Sequence, residues 1–199
     1  MTLDEILDGI QEEQAELLGQ LILTDDRMEH LDGCIEAAYD LALQYGLDCG
    51  KAVLAALLHD FYREKDEQEI LGLAAENGVR PTPFETRYYK VLHGKVAAAY
   101  FARQGYIRDE GILEAVAHHT LAAPDIGPLA RLMFIVDAVE PFRKYKGVEE
   151  IRAFVYSHGL DGSYAHVLAR QIMDMAAKGK ILPRATVEAY NQIMEETKE

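Results

Sequence analysis

The sequence predicts an all-α fold. Three observations carry it. Apolar residues recur three and four apart along most of the chain, no two alternating segments are joined by a hairpin turn, and cap residues and Gly or Pro breaks bracket the periodic stretches. Leu3, Ile6, Leu7 and Ile10 set a helical stripe that continues through Leu17, Leu18 and Leu21. Thr24, Asp25 and Asp26 offer N-caps for the next helix, which runs through Leu31, Ile35, Ala38 and Leu41 to a stop at Gly46. Asp48 can cap KAVLAALLHD, a segment apolar almost all round and therefore expected to be buried. A charged helix over 65–77 stops at Gly78, and Pro81 and Pro83 mark a loop. Helical pattern resumes from Phe84 to Arg103, then over 109–119 and 128–139, where Pro141 ends it and FRKYKG reads as a basic loop. Segments over 148–157 and 164–177, and one after Pro183, complete the set.

The chain has 199 residues, enough to bury a core without disulfide or metal staples. We expect one helical-bundle domain over 24–199, preceded by an amphipathic helical segment over 1–23 that serves as a solvated cover or an interface element. Lys and Arg number 20 and Asp and Glu 34, so the net charge is 20 − 34 = −14. Such a surface argues against nucleic acid, whose phosphates need basic partners. A small anionic substrate requires a metal or a few local cations to reverse the field within one cleft. No apolar run approaches the roughly 18 residues that span a bilayer. The acidic N-terminus lacks a signal-peptide pattern, and Cys34 and Cys49 read as ordinary reduced thiols. The expected location is the cytoplasm. The expected partners are a small-molecule substrate, with no nucleic acid and no membrane, and a second copy of the chain in a homodimer.

Seven histidines are present. A lone histidine on a helix is more often structural than a ligand, so company decides. His59-Asp60 ends AVLAALLHD, where two titratable groups are costly to bury unless they are paired or hold a metal. The bland alternative is a favourable imidazole at a helix C-terminus beside a solvated carboxylate. His30 lies four residues before Cys34, and His93 sits between Val91-Leu92 and Gly94-Lys95-Val96-Ala97. His119 shares a face with Ile112 and Val116, whereas His118 shares one with Glu114 and Gly111, so His119 is expected to point inward. Asp137 closes the apolar run LARLMFIVD.

These residues lie in RMEHLDGC (27–34), AALLHDFYRE (55–64), LHGKVAA (92–98), AVAHHT (115–120) and VDAVEPFR (136–143), followed by LPRATVEAYN (182–191). The ordered set resembles the YqeK-type branch of the HD-domain metal-dependent phosphohydrolases, over nearly the whole chain. The resemblance implies a six-ligand, two-metal centre. His30, His59, Asp60 and Asp137 would hold one ion, and Asp60, His93 and His119 the other, with Asp60 bridging. It points to iron first; mixed imidazole and carboxylate donors also suit manganese and zinc. It implies hydrolysis of symmetrical dinucleoside polyphosphates, with diadenosine tetraphosphate giving two ADP. The chain departs from the branch at Leu31, Arg63, Leu121-Ala122 and Phe142, none of them a proposed ligand.

A water or hydroxide shared by two cations would be the nucleophile, because bound metal lowers its pKa. Asp60, Arg63 and Arg143 are the expected catalytic residues, and Arg63, Lys95 and Arg143 the expected phosphate contacts. Arg27, Lys90, Lys144 and Lys146 rank below them. Glu140 reads as a partner of Arg143 rather than a ligand, and Tyr62, Tyr88 and Tyr89 are candidates to stack on a base. Three readings compete: an HD nucleotidase acting on mononucleotides, a di-iron oxygenase, and a non-catalytic nucleotide sensor.

Overall fold

A computed structural model describes residues 1–197, and among these residues there are helices and turns but no strand. The last two residues of the expected core domain lie outside the described residues. The helices are α1 (Leu3–Asp8), α2 (Glu12–Leu18), α3 (Asp25–Tyr45), α4 (Cys49–Leu58), α5 (Glu67–Glu76), α6 (Pro83–Arg87), α7 (His93–Gln104), α8 (Glu110–His118), α9 (Pro128–Val139), α10 (Val148–Val155), α11 (Leu160–Ala177) and α12 (Arg184–Glu196). A 3-10 turn, Tyr89–Val91, joins α6 to α7.

The centre is built by α3, α4, α8 and α9. Helix α3 packs on α4 and α9, α4 packs on α8 and α9, and α7 and α11 flank α8 and α9 respectively. Leu41, Leu58, Phe101, Ile135 and Leu168 are fully buried there. Helix α4 buries Ala52, Val53, Ala55, Ala56, Leu57 and Leu58, as its all-round apolar sequence requires. Local signals set its bounds: the Asp48 carboxylate accepts from Lys51 N at 3.0 Å. Gly46, just past α3, has φ +70°, a conformation that a Cβ disfavours.

Two expected helices are divided. The stripe from Leu3 to Leu21 breaks between α1 and α2, where Gly9 ends one helix and the Gln14 side chain accepts from Gln11 N at 3.2 Å to start the next. Both pieces pack inward: Ile6 meets Val53 and Leu57, and Leu17 is fully buried in the main core. The stretch from Phe84 to Arg103 breaks at Tyr88, whose φ −117° and ψ 56° lie outside the helical region. Periodicity continues in the residues while the backbone turns. This break places His93 at the very start of α7.

Gly94 shows how tightly α7 meets α8. A Cβ at Gly94 would run into the Val116 carbonyl and approach the His119 ring at 2.7–2.8 Å. The obstruction is backbone of a neighbouring helix, which cannot rotate away. Gly94→Ala gains about 1 kcal/mol of helix propensity but overpacks a closed contact, a change that costs about 1–3 kcal/mol. We expect Gly94→Ala to melt below the parent protein; a variant with equal or higher Tm would refute this account of the glycine.

Candidate metal centre

Helix ends and one helix face bring the candidate ligands together. His30 and Cys34 lie one turn apart on the inner face of α3. His59 and His119 are the C-caps of α4 and α8, His93 opens α7, and Asp137 lies in the last turn of α9. A helix C-terminus leaves carbonyls without partners, and two of them aim imidazoles here. His59 Nδ1 donates to Ala56 O at 2.6 Å and His119 Nδ1 to Val116 O at 2.8 Å. His93 Nδ1 donates to Lys90 O at 2.7 Å by the same three-residue step. His30 Nδ1 donates to Glu140 Oε1 at 3.0 Å. Each acceptor takes a proton from Nδ1, so the Nε2 atoms of all four rings face inward.

Those nitrogens form two pairs. His93 and His119 Nε2 are 2.9 Å apart, and His30 and His59 Nε2 3.3 Å apart. Asp60 lies between them. Its Oδ1 is 2.9 Å from His93 Nε2 and 3.7 Å from His119 Nε2, while its Oδ2 is 3.8 Å from both His30 and His59 Nε2. Asp137 Oδ1 joins the second pair at 3.1 Å from His30 Nε2. Facing imidazole lone pairs at such spacing are tolerated only with positive charge between them, so the donor set fits cations. One carboxylate oxygen of Asp60 faces each pair.

Burial and charge tune the cluster in opposite directions. Burial lowers His59, and burial with the neighbouring His93 and His59 brings His119 down to about 3, keeping both neutral as ligands must be. Burial would also lower His30, yet hydrogen bonds to Asp137 and Glu140 outweigh it and raise His30 to about 8. Burial opposes ionisation of Asp60, but His59, His93 and His119 hold its carboxyl well below the usual range. Asp137 is held low against burial by His30 and the Arg143 guanidinium.

The expected cations are placed unequally. Arg143 Nη2 donates to Asp137 Oδ1 at 2.6 Å and its Nε to Asp137 O at 2.7 Å. It lines a cavity of about 400 Å³ that opens onto His119 and Asp137. Arg63 is half-buried, close enough to Asp60 and Arg27 for their charges to act on it, and burial pushes its pKa down. Lys95 pairs with the buried Glu85 of α6 at 2.8 Å and is absent from that cavity wall, because it faces out from α7 while His93 faces in. Of the three aromatic candidates, Tyr62 packs among Phe61 and Tyr100, and Tyr88 against Phe84.

Two features were not legible in the sequence. Glu140 does meet Arg143, at 3.6 Å, but it also orients His30 and accepts from Phe142 N at 2.6 Å. Cys34 is no ordinary thiol: fully buried, its Sγ lies 3.6 Å from His30 Nε2 and 4.0 Å from His59 Nε2. Burial and the nearby Asp137 and Glu140 carboxylates push its pKa well up. Its four-residue spacing from His30 was the available signal.

Metal content of variants tests the geometry. His119→Ala should lose bound metal in protein purified without chelator, while His118→Ala, one residue away and outside the cluster, should keep it. Asp60→Ala should be the most damaging, since both groups lose an oxygen; full metal stoichiometry in that variant would remove Asp60 from the centre.

The HD domain family matches residues 27–141, a span that contains the whole cluster. A protein of Halalkalibacterium halodurans named symmetrical bis(5'-nucleosyl)-tetraphosphatase is 33% identical over 178 residues, covering 88% of this chain and 93% of that one. One of the same name from Staphylococcus aureus is 29% identical, covering 90% and 92%. A crystal structure of a predicted HD superfamily hydrolase involved in NAD metabolism, from Clostridium acetobutylicum, superposes with a TM-score of 0.82 at 26% identity over 98% of each chain. The chain therefore belongs to the HD-domain family, in its YqeK-type branch.

Proposed function

We propose that the chain is a metal-dependent phosphohydrolase that cleaves symmetrical dinucleoside tetraphosphates, diadenosine tetraphosphate giving two ADP. The observation that carries the reading is Asp60, buried with one oxygen toward each histidine pair, in a cluster that a cavity walled by Arg143 reaches at His119 and Asp137. The names of the two relatives that span nearly the whole chain support the same substrate class.

His30, His59, Asp60 and Asp137 would hold one ion, and Asp60, His93 and His119 the other. When bound, the pair supplies activation of water and neutralisation of phosphoryl charge. We take the metal to be iron; the mixed donors accept manganese and zinc as well. The chain's own residues position the reaction. Glu140 holds the His30 ring and Arg143 holds Asp137, so the cluster is pre-organised rather than assembled by substrate. Arg143 has Nη1 left for a phosphate oxygen, and Arg63 with Arg27 adds charge on the Asp60 side. Lys95, committed to Glu85, is left out of this role. Two free cysteines fit a reducing compartment, and we place the activity in the cytoplasm.

Water attacks one of the two central phosphorus atoms, and the bond from that phosphorus to the central bridging oxygen breaks. One ADP leaves with the bridge oxygen, and the other acquires the oxygen of water. Hydrolysis in heavy-oxygen water should therefore label one ADP of each pair and yield no AMP or ATP. Steady AMP plus ATP would reject central cleavage, and turnover only of mononucleotides to inorganic phosphate would move the chain to a nucleotidase. Arg143→Ala, assayed in excess metal, should lower kcat/KM by about tenfold or more, the scale of a charge-assisted hydrogen bond; an unchanged value would remove Arg143 from substrate contact.

A further inference from the structure

Two cavities, rather than one, open onto the metal cluster, and Arg143 lies on the wall of both. The first, of about 400 Å³, reaches His119 and Asp137 and is walled on its far side by α11. The second, of about 380 Å³, reaches His30 and Glu140 and is walled by the start of α3 and the turn after α9.

The α11 cavity carries what a nucleoside diphosphate needs. Arg170 and Lys146 line it, and among the described residues neither has an ion-pair partner, whereas Lys178 is held by Asp174 at 2.7 Å. Gln171 Nε2 donates to Thr120 O at 3.2 Å, which fixes the amide and leaves Oε1 as an acceptor. That Oε1 is buried with no hydrogen-bond partner among the described residues. The Tyr145 hydroxyl donates to Ala138 O at 2.8 Å, leaving its half-exposed ring beside the cavity. The second cavity has Arg27, Lys144 and the exposed Phe142 ring, but Asp26 and Glu29 also line it and weaken its pull on phosphate.

We propose that each cavity takes one nucleoside diphosphate half of the substrate, the α11 cavity the tighter of the two, with Arg143 at the divide. The proposal rests on the tetraphosphatase reading and gives it a geometric cause: the bond that crosses the divide is the central anhydride. A mononucleotide fills one cavity only.

Calorimetric titration of the metal-loaded protein with ADP tests it. Two ADP per chain, in a tight and a weak class, are expected. Arg170→Ala should weaken the tight class about tenfold and leave the weak one, and should raise KM for diadenosine tetraphosphate by a similar factor. Lys144→Ala should affect the weak class alone. Both residues are exposed, so equal melting curves will show that the variants fold. One ADP per chain, unchanged affinities in Arg170→Ala, or both variants weakening the same class would overturn the two-cavity arrangement. Binding of two ADP with this pattern but no ADP released from the tetraphosphate would uphold the cavities and remove the proposed reaction.

Discussion

Asp60 is 4% exposed, and an ionised carboxylate at that depth would cost several kcal/mol without compensation. The Arg27 guanidinium supplies part of it from the rim at 3.5 Å, and cations held among the four imidazoles that approach its two oxygens in pairs would supply the rest. Everything else in the centre follows from keeping that carboxylate charged and shared. The helices that carry the imidazoles must end where they do, because a histidine one residue earlier or later would turn by about 100° around its helix axis.

Backbone carbonyls do most of the aiming. Ala56, Lys90 and Val116 each accept from the ring three residues on, so groups that a helix or turn end would otherwise leave unpaired become the orienting partners of the cluster. His30 lies inside a long helix, where its neighbours' carbonyls are already engaged, and it takes a carboxylate instead. Glu140 reaches it only because residue 33 is glycine: a Cβ there would collide with the Glu140 carboxylate and press on Phe142. A glycine that weakens α3 by about 1 kcal/mol thus admits the turn after α9 to the metal centre.

The charge balance of the whole chain and that of the centre have opposite senses. A net charge of −14 repels a polyphosphate at long range. Near the cluster, Arg143 on both cavity walls, with Lys146 and Arg170 in one cavity and Arg27 and Lys144 in the other, provides the local reversal. Screening confines these effects to about 8–10 Å at ordinary ionic strength, so a handful of cations close to the site outweighs the acidic exterior.

Helix type, caps and inward faces were legible residue by residue because they are set within one turn of chain: Asp48 starts α4, Gly46 ends α3, and His119 rather than His118 shares the face of Val116. The ordered set His30, His59-Asp60, His93, His119 and Asp137 was legible through its resemblance to the HD-domain branch, carried by segments such as AALLHDFYRE and AVAHHT. The breaks at Gly9–Gln11 and at Tyr88 were not, since apolar spacing survives a change of backbone direction. Nor were the Glu140–His30 bond, the place of Cys34 against two imidazoles, the diversion of Lys95 to Glu85, or the role of α11 in walling a cavity. Glu140 and Arg170 stand 110 and 51 residues from the histidines they accompany, His30 and His119. Such neighbours are chosen by how helices cross, which depends on side-chain volumes summed over the whole core rather than on any local pattern.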